Sequence, residues 1–190
     1  RAVLVKQTEN GNVEIYNTTK KDFHDIWCDY FDFNTDYGAI KNTLSSDDSL
    51  KKAIKFGGGI RILNQEPFEC LISFIISTQN SIPRIKRIIT KMSELFGEKI
   101  EFNGKTYYAF PTCETLAQLT ESDLAPLKAG YRAEYILDAS KKLKNGEVDL
   151  NSLFDADIQS ARKELLKIKG VGPKVADCVL LFSLKKHGAF

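Results

Sequence analysis

The chain has 190 residues, 43% hydrophobic and 27% charged, with a net charge of +2. That size and balance suit a folded protein with a substantial core, and they exclude a strong global pull toward a polyanion. No apolar run reaches the length of a membrane-spanning helix, and no signal peptide opens the chain.

The first segment reads as β. Ala2–Thr8 and Asn12–Tyr16 are strand-like and flank Glu9-Asn-Gly11, a hairpin turn. Two strands alone are marginal, so partner strands are expected before Arg1. Lys20–Tyr30 then places Phe23, Ile26, Trp27 and Tyr30 on one helical face. More helix is expected within Thr35–Phe56, before the hinge-like run Gly57-Gly-Gly59. From Pro67 onward the pattern is almost wholly helical. Phe68–Ser77 is nearly continuously apolar and reads as a buried helix. Pro83 opens an amphipathic helix to Phe96. Glu101–Tyr108, with Asn103-Gly104, reads as a short hairpin or loop. Helices are expected at Pro111–Leu119, Glu121–Leu127, Arg132–Leu143 and Ile158–Lys167.

The fold class implied is α+β: a small antiparallel β part followed by a mainly helical domain. The division is placed at residues 1–66 and 67–190. The first part carries net charge −1 and the second +3, which agrees with a DNA-facing second part. Cys28, Cys70, Cys113 and Cys178 stand far apart with no Cys-x-x-Cys spacing, so no zinc or iron–sulfur motif is visible. Scattered, apolar-flanked thiols fit a reducing, intracellular setting. No cofactor or metal is expected.

Four constellations could carry chemistry. Lys169-Gly-Val-Gly-Pro-Lys174 joins two helical runs. Gly170 and Gly172 let the backbone turn sharply and approach an anion. The opening N–H groups of the following helix can point at a phosphate, and Pro173 fits its first turn. The same spacing also suits a plain tight connection. Lys174 stands in the first turn, where a cation opposes the helix dipole, and lysine can serve as an amine nucleophile. Asp177 and Cys178 follow at spacings of three and four on neighbouring helix faces. Asp177 reads as structural, and Cys178 as either a pocket wall or a small buried hydrophobe. Ser77-Thr-Gln-Asn-Ser-Ile-Pro-Arg84 sets Gln79, Asn80 and Arg84 between a buried helix and a basic one. Such side chains can bond base edges or phosphates, or merely cap the two helices. Ala129-Gly-Tyr-Arg-Ala133 sets Tyr131 and Arg132 at a turn, as a wedge and a cation for flipped-out DNA or as a packed ring and a solvated arginine.

Taken in order, these motifs resemble the helix–hairpin–helix DNA glycosylases, and within them the 8-oxoguanine DNA glycosylases. The resemblance runs from Gly59 to Phe190. It is carried by Gln65-Glu-Pro-Phe-Glu-Cys-Leu-Ile-Ser-Phe-Ile-Ile-Ser77, Ile82-Pro-Arg84, Tyr107-Tyr-Ala-Phe-Pro111, Ala129-Gly-Tyr-Arg-Ala133 and Gly170-Val-Gly-Pro-Lys-Val-Ala-Asp-Cys178.

The resemblance implies excision of 8-oxoguanine paired with cytosine in double-stranded DNA, followed by nicking of the abasic site. It implies that Lys174 is the nucleophile, that Cys178 lines the base pocket, and that Gly170 and Gly172 hold a phosphate. It makes Tyr131 the wedge, Arg84 and Arg132 the readers of the orphaned cytosine, and Gln79 and Asn80 part of the loop at the emptied site. Gln79 departs from the asparagine common at that position in the family. The family's catalytic aspartate is expected beyond Phe190, so residues 1–190 alone would be weak or inactive and look like a piece of a longer protein. A monomer is expected, cytoplasmic and associated with the nucleoid in a prokaryote, or nuclear in a eukaryote. The alternatives are an alkyl-base glycosylase of the same fold and a non-catalytic helix–hairpin–helix DNA-binding module.

Overall fold

The computed structural model describes residues 2–189. The chain is α+β and divides into two compact units, residues 4–64 and residues 65–189, the latter together with Ala2 and Val3. The expected partner strands before Arg1 lie outside the described residues.

The first unit opens with an antiparallel hairpin of β1 (Leu4–Gln7) and β2 (Val13–Tyr16), with Leu4 opposite Tyr16. Gly11 sits at φ +80° in its turn, a conformation suited to glycine. The Lys20–Tyr30 run is one helical stretch with an uneven middle. Helix α1 (Lys20–Asp22) and helix α2 (Cys28–Tyr30) are joined by a π-helical turn over Phe23–Trp27. Helices α3 (Tyr37–Leu44) and α4 (Asp48–Phe56) complete the unit. Asp32 organises the connection from α2 to α3. Its carboxylate accepts from the Thr35 and Tyr37 hydroxyls, both at 2.8 Å. Arg61 donates to the Asp32 carbonyl at 2.7 Å and lies over the Tyr37 ring at 4.4 Å.

The second unit is built around helix α5 (Pro67–Ser77), whose Leu71, Ile72, Ile75 and Ile76 are fully buried. Apolar residues on every side leave such a helix only one place to go, the centre of the unit. Helix α6 (Ile82–Phe96) is amphipathic and buries Ile88 and Met92. A two-residue turn at Asn103-Gly104, both at positive φ, joins β3 (Lys99–Phe102) to β4 (Lys105–Tyr108). Then follow α7 (Cys113–Ala117), α8 (Glu121–Leu124), a 3₁₀ turn at Ala125–Leu127, and α9 (Arg132–Lys144). Helices α10 (Ile158–Leu165) and α11 (Pro173–Phe182) close the unit around the glycine turn.

Helix α5 packs against α6, α9 and α11. It runs antiparallel to α11, since the Gln65 N–H ahead of α5 donates to the Phe182 carbonyl at the end of α11, at 2.9 Å. Cys70 belongs to this core, where burial pushes its thiol up to about 12. It behaves as a small hydrophobe and is not a reactive thiol. Among the described residues, no helix is long and apolar enough to cross a membrane.

Candidate active site

The glycine turn is held by apolar residues placed within it. Ile168 and Val171 are buried, and the Val171 N–H donates to the Ile168 carbonyl at 3.1 Å. The two glycines then serve different ends. Gly170 lies at φ +81°, and a Cβ there would come within 2.2 Å of the Tyr135 ring. Both the backbone conformation and the neighbour demand glycine. Gly172 has an ordinary φ of −94°, and a Cβ there would meet nothing within 4 Å. Neither the fold's packing nor its backbone conformation requires glycine at that position. The vacant space lies outside the protein, where a ligand could come close to the backbone.

Gly172 begins α11 with no side-chain cap, and Pro173 fills the first turn. Uncapped starts recur at two related places. Helices α3, α4, α5, α7, α8 and α10 each begin with a side chain accepting from a first-turn N–H. Helix α2, which only continues the helical stretch from α1, has no such cap, and neither do α6, α9 and α11. Helices α6, α9 and α11 begin beside the candidate residues: Gln79 and Asn80 before α6, Tyr131 before α9, and the glycine turn before α11. Open helix starts leave N–H donors and a positive dipole end for an anion.

A cleft of about 440 Å³ brings these segments together. Thr78 and Gln79 form one side, Tyr131 and Tyr135 another, and Gly170 to Gly172 the third. None of these lining residues bears a formal charge at neutral pH. The Tyr131 and Tyr135 rings meet edge to face at 5.4 Å, and Tyr131 is 48% exposed. Gln79 is exposed at φ +46°, in the left-handed region that disfavours a side chain.

Arg132 holds that loop in place. It is 3% exposed, and its guanidinium donates to the Thr78, Gln79 and Ala129 carbonyls. Of the two readings of Arg132, the solvated arginine does not hold, since the side chain is buried and bonded to carbonyls. Asn80 is also turned to the backbone, with its side chain donating to the Ile76 carbonyl at 3.0 Å and accepting from the Ser81 N–H at 3.0 Å. Arg84 is exposed on α6 and donates to the Lys128 carbonyl at 3.1 Å.

Lys174 is exposed in the first turn of α11, and Cys178 lies one turn on, half-buried. Burial pushes the Cys178 thiol up, and the Lys174 ammonium opposes that shift. Neither Lys174 nor Cys178 is among the residues that line the cleft. Asp177 points elsewhere. Arg162 holds its carboxylate through Nε at 2.7 Å and Nη2 at 2.6 Å, tying α10 to α11. Among the described residues, no group of three or more His, Cys, Asp or Glu side chains could hold a metal ion.

Tyr135 escaped the sequence reading, although its spacing of four from Tyr131 puts the two rings on one helical face. Thr78 was likewise passed over as a backbone acceptor, for which sequence offers no sign.

Residues 72–179 match the HhH-GPD superfamily of base excision DNA repair proteins, and residues 1–71 match the N-terminal domain of 8-oxoguanine DNA glycosylase. The chain is 43% identical over 142 residues to an N-glycosylase/DNA lyase of Saccharomyces cerevisiae, covering 68% of this chain and 38% of that protein. Its fold matches an apo 8-oxoguanine glycosylase/lyase of Clostridium acetobutylicum with a TM-score of 0.94 at 48% identity, over 99% of this chain and 66% of that one. A structure of the Clostridium enzyme with double-stranded DNA containing cytosine opposite 8-oxoguanine matches with a TM-score of 0.94 at 47% identity, over 99% of this chain and 64% of that one. The chain thus spans less than two thirds of the length of these relatives. From the match across the helical unit, the chain belongs to the HhH-GPD superfamily of base excision DNA repair proteins.

Proposed function

We propose that the protein removes 8-oxoguanine paired with cytosine from double-stranded DNA and then nicks the abasic site. The carrying observation is Lys174, exposed in the first turn of an uncapped helix, directly behind a glycine with open space outside it. That placement suits an amine working beside a held phosphate. The relatives described above support the choice of lesion and of partner base.

In this reading the turn amides and the α11 start hold the backbone, and Tyr131 fills the gap left by the flipped nucleotide. Once Lys174 has given its ammonium proton to water, its amine bonds to C1′ while the bond from C1′ to the base breaks, and the base leaves with the electron pair and takes a proton from the newly bonded nitrogen. Opening of the sugar gives a Schiff base. Loss of a C2′ proton then expels the 3′ phosphate, and water frees the lysine. Cys178 offers a neutral wall to the base. Asp177, bound to Arg162, has no part in the chemistry. Arg84 meets the orphaned cytosine. Arg132 joins it by exchanging carbonyl partners for the cytosine's acceptors, because a buried guanidinium stripped of acceptors is costly. Gln79 and Asn80 shape the loop at the emptied site. The protein acts as a monomer, wherever the cell keeps its DNA.

The test is base release by the full-length protein from a panel of duplexes bearing oxidised or alkylated purines. Release of 8-oxoguanine opposite cytosine with strand nicking is expected. Release of alkylpurines alone would overturn the choice of substrate, and binding without release from any duplex would overturn the enzymatic reading.

A further inference from the structure

We propose that Asp138 is a positioning residue that fixes the glycine turn to α9, so that the phosphate grip and the Tyr131 wedge keep one register. This inference rests on the proposed function. Asp138 lies two turns beyond Tyr131 on α9. Its Oδ2 accepts from the Lys169 N–H at 2.7 Å and from the Lys142 ammonium at 3.0 Å. The same ammonium donates to the Lys167 carbonyl at 2.6 Å. Lys169 adds a side-chain ion pair with Glu134, also on α9. The backbone on both sides of Ile168 is therefore bonded to one face of one helix.

The other flank of the turn is held by rings. Gly170 lies against Tyr135, and Tyr135 against Tyr131. Asp138 follows Tyr135 by three residues, so both hold the turn from neighbouring positions on α9. A continuous set of contacts thus runs from the wedge ring to the turn proposed to grip the phosphate. An exposed ion pair alone would fix little. A carboxylate accepting from a backbone N–H is stronger and more directional, and this N–H belongs to the residue just before Gly170. The phosphate held by the turn and the gap filled by Tyr131 belong to the same stretch of DNA. Their spacing must match before C1′ can meet Lys174. Misplacement by about 1 Å can cost on the order of 100-fold in rate.

The test uses the full-length protein with Asp138→Ala and Asp138→Asn. Asparagine keeps an oxygen for the Lys169 N–H, whereas alanine keeps none. In Asp138→Ala, hydrogen exchange at Lys169 should speed up by about tenfold while the α5 core stays protected. Its single-turnover base release on saturating lesion duplex should fall by about tenfold. Asp138→Asn should recover most of both. Wild-type exchange at Lys169 or wild-type release in Asp138→Ala would overturn the proposal, as would exchange raised equally across the core. If the wild type releases no base from any duplex, the proposed function fails, and with it the role in catalysis. The exchange measurement would then still decide separately whether Asp138 anchors the turn.

Discussion

Helices α5 and α9 each run from one hollow of the second unit to another, and the two hollows differ in chemistry. At one end is the cleft of about 440 Å³, with no charged residue in its lining and three uncapped helix starts around it. At the other end is a groove of about 1030 Å³, where Glu66, Glu69, Glu114 and Asp149 face a single Lys144 over a floor that includes Phe68, Phe110 and Leu150. The groove is larger, yet its carboxylates would repel a polyanion. The smaller cleft offers open donors and a bare glycine, and the exposed Lys174 follows that glycine by two residues, outside the lining. For a member of a superfamily of DNA repair proteins, the sign of the local field decides more than the volume.

Several experiments would break or sharpen this contrast. The largest effect is expected at the core that both hollows share. Ile75→Ala should cost about 2–5 kcal/mol, read by denaturant unfolding. Next come the two glycines, which should separate stability from binding. Gly170→Ala should destabilise by about 1–3 kcal/mol, from the positive φ and the collision with Tyr135. Gly172→Ala should change stability by less than about 0.5 kcal/mol and still weaken duplex binding. Equal stability losses in the two would remove the evidence for an approaching ligand. At the cleft end, Arg84→Gln should relax the preference for cytosine opposite the lesion, by about 1–3 kcal/mol in duplex binding, whereas Glu114→Gln at the groove should leave that preference unchanged.

The smallest effect concerns acid. Burial and the neighbouring Glu66 raise the Glu69 carboxyl above its usual value of 4.5. Its contribution to stability is fully present below the unfolded value and is lost as pH rises through the higher folded one. Glu69→Gln should abolish that part of the decline just above pH 4.5, read as thermal midpoint against pH.

Features set by neighbours in the chain were legible from sequence. The apolar run of α5, the Asn103-Gly104 turn, Pro173 at the start of α11 and the glycine turn itself all follow from local composition. The clustering of Gln79, Tyr131, Gly170 and Gly172 was reached through the resemblance, and the cleft has all four in its lining. What stayed hidden depends on residues far apart in the chain. Arg132 finds its acceptors at Thr78 and Gln79, more than fifty positions earlier. A sequence shows a cation there but not that its donors are occupied. The Asp138 carboxylate meets an amide 31 positions later, and no local pattern marks that pairing. The π-helical turn at Phe23–Trp27 likewise lies inside an ordinary helical periodicity.

The central claim is that Lys174 bonds covalently to the sugar of a flipped nucleotide. It is tested most directly by borohydride trapping of the full-length protein on a duplex with 8-oxoguanine opposite cytosine. The wild type should give a covalent protein–DNA adduct, and Lys174→Gln should give none while still binding the duplex. Trapping of Lys174→Gln at the wild-type level would contradict the account.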